Sequence, residues 1–270
     1  MIAVNNQRAS RRLALAILLC GSAAAVRAQQ PFVSDDAEVT PRGQWHFEYA
    51  NQYADLPREA LPDVRQDTNN FVVQYGLLRR LEVNVDFPII AIKRSEASPL
   101  DSAFGLGDVD LAAKYKLVTE DPNGARPAFT VSAAVELPTG DAKTQLGSGY
   151  TDAVLNTITQ KTFFGSTVVH LNLGYQFSGN TLTGAIGIRT PGKIFTGGLS
   201  IVQYLSPTLL LGVDVNGARV RTDQGVNRQL QLTIGGSVGI LRGMTFDFAL
   251  IAGRYDSARL GFLLGLSYSP

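Results

Sequence analysis

What most constrains this chain is a repeated pattern of short alternating segments. Twelve runs of about ten residues carry apolar side chains at every second position and polar ones between them. Successive side chains of an extended chain point to opposite faces, so each run presents one apolar and one polar face. From Gly43 to Asp55, Trp45, Phe47, Tyr49 and Tyr53 share one face while His46, Glu48 and Gln52 share the other. Leu81, Val83, Val85, Phe87 and Ile89 alternate with Glu82, Asn84 and Asp86, and Val109 to Leu117 alternates with Asp108, Asp110, Lys114 and Lys116. Val169 to Phe177 opposes His170, Asn172 and Gln176, and the last run sets Leu260, Phe262, Leu264, Leu266 and Tyr268 against Gly261, Gly265 and Ser267. The sixth and eighth runs, near Thr151 to Phe163 and Lys193 to Leu205, leave their facing open. A single alternating run is a weak signal. Twelve in succession predict an all-β, antiparallel transmembrane barrel of about 12 strands.

The connections test that count. Short links fall near Leu78, Phe164, Ser206 and Leu241, and longer ones near Asp55–Asp67, Lys93–Phe104, Pro138–Tyr150, Ser178–Gly192, Ala218–Asn227 and Arg254–Ala258. They alternate as periplasmic turns and extracellular loops do, with one exception, a longer periplasmic link at Val118–Pro127. With this topology Trp45, Tyr75, Tyr115, Phe129, Phe163, Tyr204, Phe246 and Tyr268 gather at the periplasmic rim, and Tyr53, Phe71, Phe87, Tyr175 and Phe177 at the outer one. Aromatic girdles at both interfaces are expected of such barrels. The alternative, aromatics filling a soluble β core, leaves the alternating loop lengths unexplained.

Residues 1–28 read as a signal peptide: Arg8, Arg11 and Arg12, then the apolar Leu13–Ala25, then Val26-Arg27-Ala28 before the expected cleavage. The apolar stretch is shorter than the roughly 20 residues a membrane helix needs. Removing the leader takes four of the 24 basic residues, leaving 20 against 23 acidic ones, a net −3 that offers nothing to a nucleic acid. It also removes Cys20, the sole cysteine, and with it thiol chemistry. Residues 29–42 are then an N-terminal segment at the periplasmic mouth or in the lumen, and residues 43–270 the barrel.

No catalytic, metal or cofactor site is expected. His46 and His170 lie on distant strands, a poor metal pair, and no serine follows either in a pairing that suggests a nucleophile. The glycine-rich Gly105-Leu106-Gly107 and Gly147-Ser148-Gly149 lack the lysine and strand–helix context of a phosphate loop. The inward charges say more. Glu48, Glu82, Asp86, Asp108, Asp110, Lys114, Lys116, Glu136, His170, Asn172, Asp214 and Asp247 all fall on polar faces and are the expected pore lining. Asp86, Asp108, Asp110 and Glu136 map to the outer half of the lumen, and Glu82, Lys114 and Lys116 to the periplasmic half, where Glu82 could pair with either lysine. Such charges can make an acidic constriction selecting ions or a salt-bridged network that plugs the barrel. At twelve strands, between side-chain-filled and aqueous barrels, both stay open.

Four motifs carry a family resemblance. They are Pro31-Phe32-Val33-Ser34-Asp35-Asp36-Ala37, the run from Gly105 through Leu117, Glu136-Leu137-Pro138-Thr139-Gly140-Asp141 with Leu146-Gly147-Ser148-Gly149 and Asp152, and His170-Leu171-Asn172-Leu173-Gly174-Tyr175. They resemble the outer-membrane barrel family associated with the meta-cleavage pathway of phenol degradation, most firmly over residues 31–177. The resemblance implies a bacterial outer-membrane transporter for hydrophobic or aromatic compounds. The expected partners are outer-membrane lipid, a small-molecule solute and the barrel assembly machinery. The expectation is a passive conduit with no covalent step. The alternatives are a non-conducting structural or adhesive barrel working through its extracellular loops and, behind it, an outer-membrane lipid hydrolase.

Overall fold

The computed structural model describes residues 31–56, 64–96, 101–178, 192–222, 225–255 and 257–270; the signal-peptide expectation lies outside them. The strands are β1 (Trp45–Asp55), β2 (Arg65–Leu78), β3 (Leu81–Lys93), β4 (Ala103–Leu106), β5 (Val109–Val118), β6 (Ala128–Leu137), β7 (Asp152–Phe163), β8 (Thr167–Ser178), β9 (Gly192–Ser206), β10 (Leu209–Thr222), β11 (Gly225–Leu241), β12 (Met244–Tyr255) and β13 (Leu260–Tyr268). Consecutive strands pair antiparallel, except that β4 and β5 both pair with β3, and β1 pairs with β13 to close the sheet. Closure removes the sheet edge everywhere but at the short β4, which pairs only with β3, and this is what lets strands cross lipid with their backbone groups paired.

The barrel has twelve strands, because β4 and β5 are two halves of one: both pair with β3. Between the pairs Asp86–Asp110 and Ile89–Leu106, two residues of β3 stand opposite three, Gly107, Asp108 and Val109. Pro88 has no backbone N–H to give the ladder, and a bulge forms there, with Gly107 N donating to Pro88 O at 2.8 Å. The extra residue reverses the alternation. Phe104 and Leu106 are exposed above the bulge, and Leu111, Tyr115 and Leu117 below it.

The two open facings resolve as well. On β7, Leu155 and Phe163 face outward and Asp152, Ile158 and Gln160 inward; on β9, Phe195, Leu199 and Ile201 face outward and Ile194, Ser200 and Val202 inward. Leucine, valine, isoleucine and aromatic side chains make up the exposed belt. An apolar surface of this extent is stable only against lipid. Aromatics pack along the belt, Trp45 tilted against Tyr75 with ring centres 4.6 Å apart and Phe71 stacked on Phe87 at 5.3 Å.

One expected loop is instead strand. Residues 218–222 and 225–227 continue the β10–β11 ladder, so strand takes up most of the expected Ala218–Asn227 connection. The segment is polar, which suggested a loop, but it lacks proline and its backbone donors and acceptors find partners across the hairpin. The longer link expected at Val118–Pro127 is present as residues 119–127. Glu120 braces it, accepting from Lys161 Nζ at 3.0 Å, Thr162 N at 2.7 Å and Thr162 Oγ1 at 3.0 Å. Burial alone would raise the Glu120 carboxyl, but these bonds outweigh it and hold it below the usual carboxylate range.

Candidate functional site

Residues 31–42 lie inside the barrel, bonded to its polar inner face from the short-turn end to mid-height. The entry is tight. Gly43 N donates to Gly76 O at 2.7 Å, and a Cβ on Gly76 would sit 2.1 Å from Pro41 O, so only glycine permits this approach. Further in, Thr40 donates its N and Oγ1 to Glu82 Oε2 at 2.6 and 2.7 Å. Ala37 N donates to Gln160 Oε1 at 2.9 Å, and Thr130 Oγ1 donates to Ala37 O at 2.7 Å. Asn172 accepts from Asp35 N at 3.0 Å and donates to Asp35 O at 2.9 Å. At the tip, Asp214 accepts from Val33 N, Ser34 N and Ser34 Oγ at 3.0, 3.3 and 2.5 Å.

Charge reinforces this. Lys114 pairs with Asp35 at 2.8 Å and Asp36 at 3.3 Å, and Lys116 pairs with Glu38. The expected pairing of Glu82 with either lysine therefore does not form. Glu82 is spent on Thr40, and the lysines reach carboxylates that the segment brings to them. Both lysine side chains are less than a tenth exposed, so desolvation is large and the partners are what make their burial tolerable.

The remaining inward residues form wall contacts. Glu48 accepts from Gln74 Nε2 at 3.4 Å and shares a 2.9 Å contact with His46 Nε2, whose Nδ1 lies 2.7 Å from Ser269 Oγ. Asp247 accepts from the hydroxyls of Ser237 and Ser267, joining β11, β12 and β13. His170 Nδ1 lies 2.7 Å from Ser200 Oγ, a contact across β8 and β9 that sequence spacing did not reveal. Both histidines tie neighbouring chain segments together. At Ser269 the backbone N–H is already given to Gly243 O, so it cannot stabilise an oxyanion.

The outer half is built differently. Asp108 does not stand free in the lumen: its oxygens accept Gly140 N at 2.9 Å and Ser148 N at 2.6 Å, pinning the 138–151 loop over the barrel. Arg94 adds to this, donating to Thr144 O at 3.0 Å and Gln145 Oε1 at 2.9 Å. Leu146 from that loop packs with Leu56, Val64, Ile90, Ile92 and Ala258 into an apolar collar at the long-loop end. Between collar and segment lies a cavity of about 280 Å³. Its floor is Pro31, Phe32 and Val33; Asp86 and Asp110 lie on one side, Ile251 and Leu263 on another. Glu136 is buried beside Asp110, its register partner.

From the sequence, Ser34, Asp35 and Asp36 are read only as part of a family motif, and Glu38 and Thr40 not at all; the lumen contacts of all five come from the structure. The signal was available: three acids in one short stretch before the first strand, and two inward lysines with only one nearby glutamate.

The fold matches known outer-membrane proteins. The COG4313 outer membrane channel from Pseudomonas putida F1 superposes with a TM-score of 0.67 at 17% identity, covering 87% of this chain and 97% of that one. The KdgM porin in complex with disordered oligogalacturonate gives 0.53 at 8% identity, covering 83% and 99%. No curated protein matches the chain. A closed barrel with an apolar outer belt, of the same fold as these channels and porins, is a protein of the bacterial outer membrane. The sequence over residues 30–262, with the lumen and motifs described above, belongs to the family described as "Putative MetA-pathway of phenol degradation".

Proposed function

We propose that this barrel is a channel for the passive passage of small hydrophobic or aromatic molecules across the outer membrane. The observation that carries the reading is the sequence of environments along the lumen: an apolar collar, then a mixed apolar and polar cavity, then a hydrogen-bonded segment. An apolar cavity of about 150 Å³ already accepts benzene. The cavity here, about 280 Å³, has room for one substituted ring. The family description, a pathway of phenol degradation, supports the cargo class, and the likeness in fold to outer membrane channels supports a conduit. Passage to the periplasm requires residues 31–42 to shift, because they occupy the inner half. The inward residues Glu48 to Asp247 named above would line the route, the belt would face lipid, and insertion would use the barrel assembly machinery. The reading involves no covalent step and no enzyme.

The test is uptake of labelled benzyl alcohol by a porin-deficient Gram-negative host with and without the barrel. Faster uptake with the barrel supports the channel. Equal uptake favours the second reading, a non-conducting barrel working through its loops, for which the filled inner half speaks.

A further inference from the structure

The cavity above the segment has a polarity that passage of hydrocarbons alone does not need. Asp86 and Asp110 are direct register partners on β3 and β5. Directly opposed side chains lie about 4.5–5.5 Å apart at Cβ, and like charges there destabilise a sheet. Among the described residues Asp86 accepts one hydrogen bond, from Asn70 Nδ2 at 3.1 Å. No hydrogen bond or ion pair to Asp110 is found among the described residues, and no lysine or arginine lines the cavity among them. The inward lysines lower in the barrel, Lys114 and Lys116, are engaged by Asp35, Asp36 and Glu38. Glu136 and its register partner Asp152 add negative charge alongside. A cationic solute would balance this charge.

The other wall decides what kind. Phe32 supplies an aromatic floor, and Ile251 on β12 and Leu263 on β13 supply apolar wall. A calcium ion seeks six to eight oxygens centred on several carboxylates, and no group of three or more His, Cys, Asp or Glu side chains placed to hold a metal is found among the described residues. An ammonium needs acceptors for only three donors, and a ring attached to it fits the apolar side. We propose that the cavity is a binding site for small protonated aromatic amines, the ammonium between Asp86 and Asp110 and the ring against Phe32, Ile251 and Leu263. This rests on the channel reading and narrows it. Neutral rings bind more weakly, and aromatic carboxylates are repelled.

Three isosteric probes test it: benzylammonium, benzyl alcohol and benzoate. Calorimetry on the detergent-solubilised full chain reads binding, and the reversal potential under a benzylammonium benzoate gradient in planar bilayers reads which ion passes. We expect benzylammonium to bind about tenfold or more tighter than benzoate, equivalent to about 1.4 kcal/mol, with benzyl alcohol between. D86N and D110N should each reduce the ratio, and the double variant should erase it. Both keep side-chain shape, and a pH titration of the unmodified chain gives the same test without mutation: benzylammonium affinity should fall as acid protonates the pair. Equal binding of all three probes, binding of none, or a ranking that survives the double variant overturns the proposal. If benzyl alcohol uptake persists without charge ranking, the amine site fails and the channel stands. If the ranking holds but nothing passes, the channel reading fails and the site stands.

Discussion

The two halves of the lumen solve the problem of inward charge in opposite ways. In the inner half, the two lysines meet carboxylates from residues 31–42, and the space is filled. In the outer half, Asp86 and Asp110 stand side by side on one wall of a cavity whose lining supplies no lysine or arginine among the described residues. Both halves are made of the same alternating strands. The difference is made by one short stretch before β1, which reaches only to mid-height. A buried charge whose partner comes from the same chain is structural, whereas one left facing a cavity is available to a solute.

The sharpest way to break this contrast is Lys114→Met. It leaves the partly buried Asp35 and Asp36 without their main partner; removing one member of a fully buried pair costs about 3–5 kcal/mol, and partial exposure puts the cost here at or below the low end of that range. Thermal unfolding followed by heat-modifiable gel mobility should show a large drop. Asp110→Asn, by contrast, should change stability little or raise it, since it removes repulsion. A comparable loss from both would erase the distinction between the halves.

Asp214→Ala comes next. It removes the acceptor for Val33 N, Ser34 N and Ser34 Oγ, and buried donors left unpaired cost about 1–3 kcal/mol each at most. The tip should detach while the lysine pairs still hold the middle, seen as protease cleavage near residues 31–34 in folded protein. Gly76→Ala acts from the opposite end of the segment. Its Cβ would meet Pro41 O, so the entry should loosen and outward ionic current should rise in planar bilayers.

How much of this was legible in sequence follows from the range of the forces. The strands and their facings rest on local alternation, which could be read directly wherever one face was apolar, as at Trp45 to Tyr53. On β7 it failed because outward Thr157 and Thr159 resemble inward Asn156, and threonine tolerates both lipid and lumen. The inward position of Asp108 was legible, but its role was not: its partners, Gly140 and Ser148, come from a distant loop through backbone N–H groups that no side-chain pattern announces. The same holds for Asp214 and the segment tip, 180 residues apart in sequence. The count of strands was readable, but the bulge that splits the fourth one was signalled only by Pro88 opposite Gly107.

The smallest effect expected lies outside both halves. Glu120 has a folded-state pKa below its unfolded value, so its contribution to stability is complete above the unfolded pKa, near 4.3, and is lost as pH falls through the folded value. Glu120→Gln should flatten the acid limb of the stability curve slightly and leave the lumen contrast untouched. A change in uptake would mean that the turn and the segment are coupled.

The most direct test of the central claim, that residues 31–42 must move for anything to pass, is to fix them in place. Ala37 packs against Ile158 of β7 inside the barrel. A disulfide between A37C and I158C locks the segment to the wall. Uptake of benzyl alcohol should then be absent under oxidising conditions and return on reduction. Equal uptake in the oxidised and reduced states would contradict the account.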